Sequence, residues 1–153
     1  MQRMRAWPWV ACLMLLAAPA VWAQDAATAE AKVPLRVDVV SVSNDGDVVE
    51  PRRLSRMKAT FAKQGLDFSS FRRLSSERVE VTAQAPTQLK LPNGKQVSLR
   101  LDRMEKGTAR VKVAIPGLLD ETLVTLGRKG VVYQAAGDHG GGKLVLVLRP
   151  SRR

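Results

Sequence analysis

The chain has 153 residues, 25 Lys and Arg against 14 Asp and Glu, a formal net charge of +11, and only 5% aromatic residues. One histidine (His139) and one cysteine (Cys12) exclude a zinc site built from three or four His and Cys ligands of a single chain. So few aromatics make a poor platform for stacking the bases of a nucleic acid strand, and the positive charge points instead to other anionic partners.

The first residues read as an export signal. Arg3 and Arg5 precede the mostly apolar run Ala6 to Val21, and Val21-Trp22-Ala23 places Val and Ala at the −3 and −1 positions of a cleavage site. The expected organisation is a signal peptide over 1–23, a flexible Ala-, Asp- and Glu-rich linker over 24–33, and a single domain over 34–153. An uncleaved anchor competes with this reading, but the run falls short of the roughly 20 residues that span a bilayer. A lipid anchor on Cys12 would leave almost no apolar region before it. Cleavage after Ala23 leaves 130 residues, enough for one domain that buries roughly two thirds of its unfolded surface. Cys12 and all three tryptophans leave with the signal, so the domain must rely on its core and not on disulfides. Its net charge becomes +9, since two of the basic residues and none of the acidic ones are removed. The expected location is periplasmic or secreted. The polyanions available there are lipid headgroups, lipopolysaccharide phosphates, acidic glycans and acidic protein faces.

Leu35 to Val42 alternates, with Leu35, Val37 and Val39 on one side, and predicts a first strand. Ser43 to Asp47 is a loop by its turn residues. Glu50-Pro51 opens a helix with proline at the first helical position, and Gly65 supplies a left-handed C-cap. At about 100° per residue, Leu54, Met57 and Phe61 share one narrow face, and Arg52, Arg56 and Lys63 share the opposite one. Arg52, Arg56 and Lys63 are therefore the candidate face for an anionic partner. The competing reading of the same residues is an ordinary solvated surface. Phe68 and Phe71 fall in a Ser-rich connector expected to close over the helix end.

Glu77 to Ala83 alternates again. Leu89 and Leu91 lead into Pro92-Asn93-Gly94-Lys95, and Val97, Leu99 and Leu101 follow it, which is a hairpin signal. Lys106-Gly107 marks the next turn. Val111, Val113 and Ile115 form a further strand with Arg110 and Lys112 facing water. Thr122 to Leu126, Val131 to Ala135 and Lys143 to Leu148 supply the last three strands. The final one is apolar on both faces and is expected to be the central or pairing strand. The predicted fold class is α+β: one amphipathic helix packed on a predominantly antiparallel β-meander of about seven strands, rolled into a small sandwich or barrel. The expected core includes Leu54, Met57, Phe61, Leu99, Val113, Leu146 and Leu148.

Two motifs look like chemistry. His139-Gly140-Gly141-Gly142 resembles an esterase oxyanion loop, but no Gly-x-Ser-x-Gly elbow occurs in the sequence to accompany it. Gly137 to Lys143 matches the start of a phosphate-binding loop, yet Leu144 stands where a hydroxyl is needed and a strand follows where a helix is needed. Both are better read as a flexible hairpin loop. Asn44, Asp45, Asp47 and Glu50 offer oxygens to calcium but lack the length and spacing of the familiar twelve-residue loop. The sequence assigns no catalytic, cofactor-binding or metal-binding residue.

At Phe68-Ser-Ser-Phe-Arg-Arg-Leu-Ser-Ser76, Leu91-Pro-Asn-Gly-Lys95, Gly117-Leu-Leu-Asp-Glu-Thr-Leu123 and the closing Gly140 to Leu148, the chain resembles small exported bacterial proteins of unknown function that share a signal peptide, one helix and a β-meander. That resemblance implies a fold and no activity. The expectation is a non-enzymatic exported binding module of the cell envelope. It would dock on an anionic surface or an acidic envelope protein through the helix face, or pair through an exposed strand edge. The alternative is a structural or accessory subunit of a larger envelope or secretion assembly.

Overall fold

The computed structural model describes residues 31–152. The predicted signal peptide and most of the linker lie outside the described residues. The elements follow in the order β1 (Val33–Ser43), β2 (Val49–Glu50), a 3-10 turn (Arg52–Leu54), α1 (Ser55–Lys63), β3 (Ser70–Val81), β4 (Thr87–Lys90), β5 (Gln96–Glu105), β6 (Thr108–Ile115), β7 (Leu119–Leu126), β8 (Val132–His139) and β9 (Gly142–Pro150). They form a five-stranded sheet in the order β2-β3-β1-β9-β8 and a four-stranded sheet in the order β4-β5-β6-β7. Every pairing is antiparallel except the short one between β2 and β3. Neither sheet closes on itself, so the barrel alternative does not hold. Among the described residues, no helix is long and apolar enough to cross a membrane.

The chemistry of β1 and β9 explains why they sit at the centre of the larger sheet. Leu35, Val37 and Val39 of β1 and Leu144, Leu146 and Leu148 of β9 belong to one buried cluster with Val97, Leu99, Val111, Val113 and Leu126 of the smaller sheet. The alternate residues Val40 and Val42 of β1, with Val145 and Val147 of β9, join Leu54, Met57, Phe61 and Phe71 in a second cluster. A strand apolar on both faces must be covered on both. Only an interior position with the smaller sheet on one side and α1 on the other provides that. All seven residues expected in the core are buried.

Several expectations need correction. The meander is confined to β4–β7. In the larger sheet β1 pairs with both β3 and β9, bringing Leu35 opposite Pro150. Among the described residues there are nine strands and not about seven. Phe71 lies in β3 and not in a connector, because it stands opposite Val42 and is fully buried with the second cluster. Val33, placed in the linker, already belongs to β1. Pro51 is extended (φ −71°, ψ 161°) and precedes the 3-10 turn, so the α-helix begins at Ser55. Gly65, at φ +76°, does take the left-handed conformation expected just past the helix.

Turn chemistry fixes the hairpins. Lys106 and Gly107 have consecutive positive φ values of 49° and 79°, the geometry that matches the twist of the flanking strands β5 and β6. Gly140 and Gly141 do the same between β8 and β9, at 56° and 80°. The His-Gly-Gly-Gly run is thus the tip of a hairpin, with His139 paired to Gly142 in the ladder. Lys143 follows in strand and not in helix, as a phosphate-binding loop would require.

Candidate functional site

The face of the larger sheet that meets α1 is apolar at one end and charged at the other. In β1 the residues on this face are Arg36, Asp38, Val40 and Val42, and in β9 they are Val145, Val147 and Arg149. The helix covers the valines. The 3-10 turn and the first turn of α1 end beside the charged part and help enclose a cavity of about 570 Å³. Twelve residues line it, among them five arginines (Arg52, Arg53, Arg56, Arg73 and Arg149) and a single acid, Asp38.

Asp38 is 2% exposed, a position a carboxylate tolerates only when paired and hydrogen-bonded. Its Oδ1 accepts from Ser76 Oγ at 2.5 Å and from Arg36 Nε at 3.4 Å, and its Oδ2 accepts from Arg149 Nη2. Arg36 Nε also donates to Ser76 Oγ at 2.9 Å. One carboxylate is therefore engaged by two guanidinium groups and a hydroxyl. Donors remain in excess. Arg149 Nε and Arg73 Nη1 are buried without an acceptor among the described residues. A buried donor on a charged group without an acceptor is costly, so such atoms mark a place where an acceptor would be stabilised.

Local structure explains how Arg73 reaches this cavity. The β1–β3 ladder shifts register between Val39, opposite Ser75, and Val40, opposite Arg73. Leu74 is left as the extra residue and is 40% exposed. A bulge re-aims the side chains that follow it. Here it gives Arg73 the position opposite Val40 that uninterrupted alternation would assign to Leu74. The helix end adds to the positive field, since its first turn carries no acidic residue and no side chain caps it.

The structure divides the predicted helix face. Arg52 and Arg56 are exposed and line the cavity, whereas Lys63 is exposed but sits at the far end of α1 and does not line it. Arg53, Arg73 and Arg149 belong to the cluster and were not singled out by helical periodicity. Arg52, Arg53, Arg56 and Lys63 make no ion pair among the described residues. The cations of the smaller sheet behave differently. Arg100 Nε donates to the Ala83 carbonyl at 2.8 Å, Arg110 lies 3.8 Å from Glu105, and Lys112 lies 3.0 Å from Glu121 and 3.8 Å from Asp102.

The loop considered for calcium is engaged in holding the helix. Asp47 accepts from Lys58 Nζ at 2.9 Å, Asn44 Oδ1 accepts from the Ser69 amide at 3.2 Å, and Ser69 Oγ donates to the Gly46 carbonyl at 2.5 Å. Among the described residues no three His, Cys, Asp or Glu side chains converge as metal ligands. Comparison of the chain with protein-family models, with curated proteins and with solved structures finds no match to any of them.

Proposed function

We propose that this protein is an exported, non-catalytic module of the cell envelope that docks on an anionic surface. Lipid headgroups and lipopolysaccharide phosphates are the surfaces such a compartment offers. The observation that carries the reading is that five arginines line one cavity whose single acid, Asp38, is already bonded to Ser76, Arg36 and Arg149. A merely solvated surface tends to intersperse its charges, as the cations of the smaller sheet do with Glu105, Asp102 and Glu121. The scaffold in this proposal is an amphipathic helix held on a small sandwich of the two sheets, with the arginines of the 3-10 turn and first helical turn facing the partner. Near anionic lipid each basic residue contributes about 1 kcal/mol, which supports reversible attachment and not insertion.

The test is retention on vesicles of phosphatidylglycerol at low salt and at 1 M salt, where the Debye length falls to about 3 Å. Wild-type protein is expected to bind at low salt and to be released at high salt. The triple variant Arg52→Glu, Arg56→Glu, Lys63→Glu is expected to lose retention while staying folded. The triple variant Arg100→Glu, Arg110→Glu, Lys112→Glu, on the smaller sheet, is expected to keep it. Equal retention of the helix variant and the wild type overturns the proposal. Mass analysis of exported protein checks the export step, with Gln24 as the expected first residue.

A further inference from the structure

The cavity is more than a patch of charge. Resting on the docking reading above, we infer that it takes the terminal phosphate of a phosphate monoester, with Arg73 and Arg149 as its inner anchors and Arg52, Arg53 and Arg56 closing over it.

Three observations lead there. The first is directional. The five guanidinium groups arrive from four elements: Arg73 from β3, Arg149 from β9, Arg52 and Arg53 from the 3-10 turn and Arg56 from α1. A carboxylate offers two oxygens in one plane. A phosphate monoester offers three acceptor oxygens arranged around phosphorus, which suits donors that converge from separate directions. The second is charge. Asp38 offsets one of the five arginines, leaving four positive charges at the lining. A phosphate monoester carries about −1.5 to −2 near neutral pH, whereas a diester carries only one negative charge. The third is the identity of the donors without acceptors. Arg73 Nη1 and Arg149 Nε are buried without an acceptor among the described residues, so an anion that reaches them makes charge-assisted hydrogen bonds in a place where those bonds are strong. Leu54, Met57, Val131 and Tyr133 also line the cavity and give the organic body of the ester an apolar wall. A cavity of about 570 Å³ lies within the range that holds small ligands.

The Asp38 contacts divide the labour between the two inner arginines. Arg149 is held in place by the carboxylate through Nη2 and keeps Nε for a ligand. Arg73 has no ion-pair partner among the described residues. Its loss should therefore affect ligand binding far more than folding, which makes it the informative position.

The experiment titrates the purified protein calorimetrically with glycerol 3-phosphate, inorganic phosphate, dimethyl phosphate and acetate. In parallel it compares retention on vesicles containing phosphatidic acid, a monoester, with vesicles containing the same fraction of phosphatidylglycerol, a diester. The expected result is a preference of at least about tenfold for monoester over diester, in solution or on vesicles, since each additional charge-assisted hydrogen bond contributes on that scale. Arg73→Gln is expected to lower monoester affinity at least about tenfold with an unchanged denaturation midpoint. Arg149→Lys, which keeps the charge beside Asp38 but removes the planar fork, is expected to lower it as well. Arg128→Gln, outside the cavity, is expected to leave it unchanged. Binding of glycerol 3-phosphate in solution identifies a free phosphorylated ligand. Binding confined to phosphatidic acid vesicles identifies a lipid headgroup. Both outcomes support the monoester. Equal retention on both vesicle types, insensitive to Arg73→Gln, overturns the monoester site and leaves the docking proposal standing. Retention on neither vesicle type, together with no heat from any phosphate, overturns both.

Discussion

Replacing Asp38 with Asn tests whether the charged end of the larger sheet is organised as described. The side chain keeps its size and its capacity to accept from Ser76, but loses the charge that Arg36 and Arg149 answer. Breaking a buried ion pair by neutralising one partner costs about 3–5 kcal/mol when the remaining charge is stranded. Here the remaining charges are not fully stranded, since the Arg36 and Arg149 side chains are 29% and 27% exposed. Water therefore recovers part of the loss, and the expected cost is about 2–3 kcal/mol. For a domain of this size that corresponds to a fall in Tm on the order of 10 °C. The assay is urea denaturation at low ionic strength, with a thermal scan in the same buffer. The variant should also gain more stability from added phosphate than wild type does, because the cavity has gained one unit of positive charge and phosphate binds only the folded form. A loss of stability below about 0.5 kcal/mol, with no difference in the response to phosphate, would mean that Asp38 does not hold these arginines and that the network described here is wrong.

Phe61→Ala should cost about 3–5 kcal/mol in chemical denaturation, because the ring is 5% exposed and packs edge-on against Phe71 and Tyr133 at centroid distances of 5.9 and 5.4 Å. A loss under about 1 kcal/mol would mean α1 is peripheral to the sheet. Gly142→Ala should be strongly destabilising although its φ is ordinary, since an added Cβ would lie 2.4 Å from the Val42 carbonyl oxygen, and wild-type stability in a thermal scan would contradict the close approach of β9 to β1. Lys112 is raised above the ordinary lysine value of 10.5 by its hydrogen bond to Glu121. Its folded pKa lies above its unfolded one, so its contribution to stability is complete below the unfolded value and fades as pH rises through the folded value. An NMR titration of the lysine side chains should show this, and Glu121→Gln should return the midpoint toward the ordinary value.

The local features were legible. Alternation places Leu35, Val37 and Val39 together, which by itself puts Asp38 on the same side as Val40 and Val42. Helical spacing groups Leu54, Met57 and Phe61, and all three are buried, Leu54 in the 3-10 turn and the other two in α1. The cationic cluster was legible only in part, because it is assembled by registers that local periodicity does not encode. Arg149 meets Asp38 only when β9 pairs with β1 across most of the chain. Arg73 is the hardest case. Simple alternation would give its place to Leu74, and the bulge that exchanges them depends on how β3 lies against β1. Phe71 was misplaced for a related reason: serines on either side of it resemble a connector until Val42 is known to stand opposite. The one usable hint was Asp38 on the same strand face as Val40 and Val42, since a buried carboxylate needs cationic partners from somewhere in the chain.

The joining of β1 to β9 has a kinetic consequence. The four strands β4–β7 are contiguous in sequence and can zip together as soon as they are made. β1, α1 and β3 likewise form a neighbouring unit. Neither unit can complete the double-sided core by itself, because β9, which pairs with β1 and is covered on both faces, follows β4–β7 in the chain. Until β9 is inserted, Val40 and Val42 on one side and Leu35, Val37 and Val39 on the other lack their nearest partners. The slow step of folding should therefore be the capture of β9 between β1 and β8, a closure with a large loop entropy. A chain stalled before Gly142 should remain sensitive to proteases however long it waits.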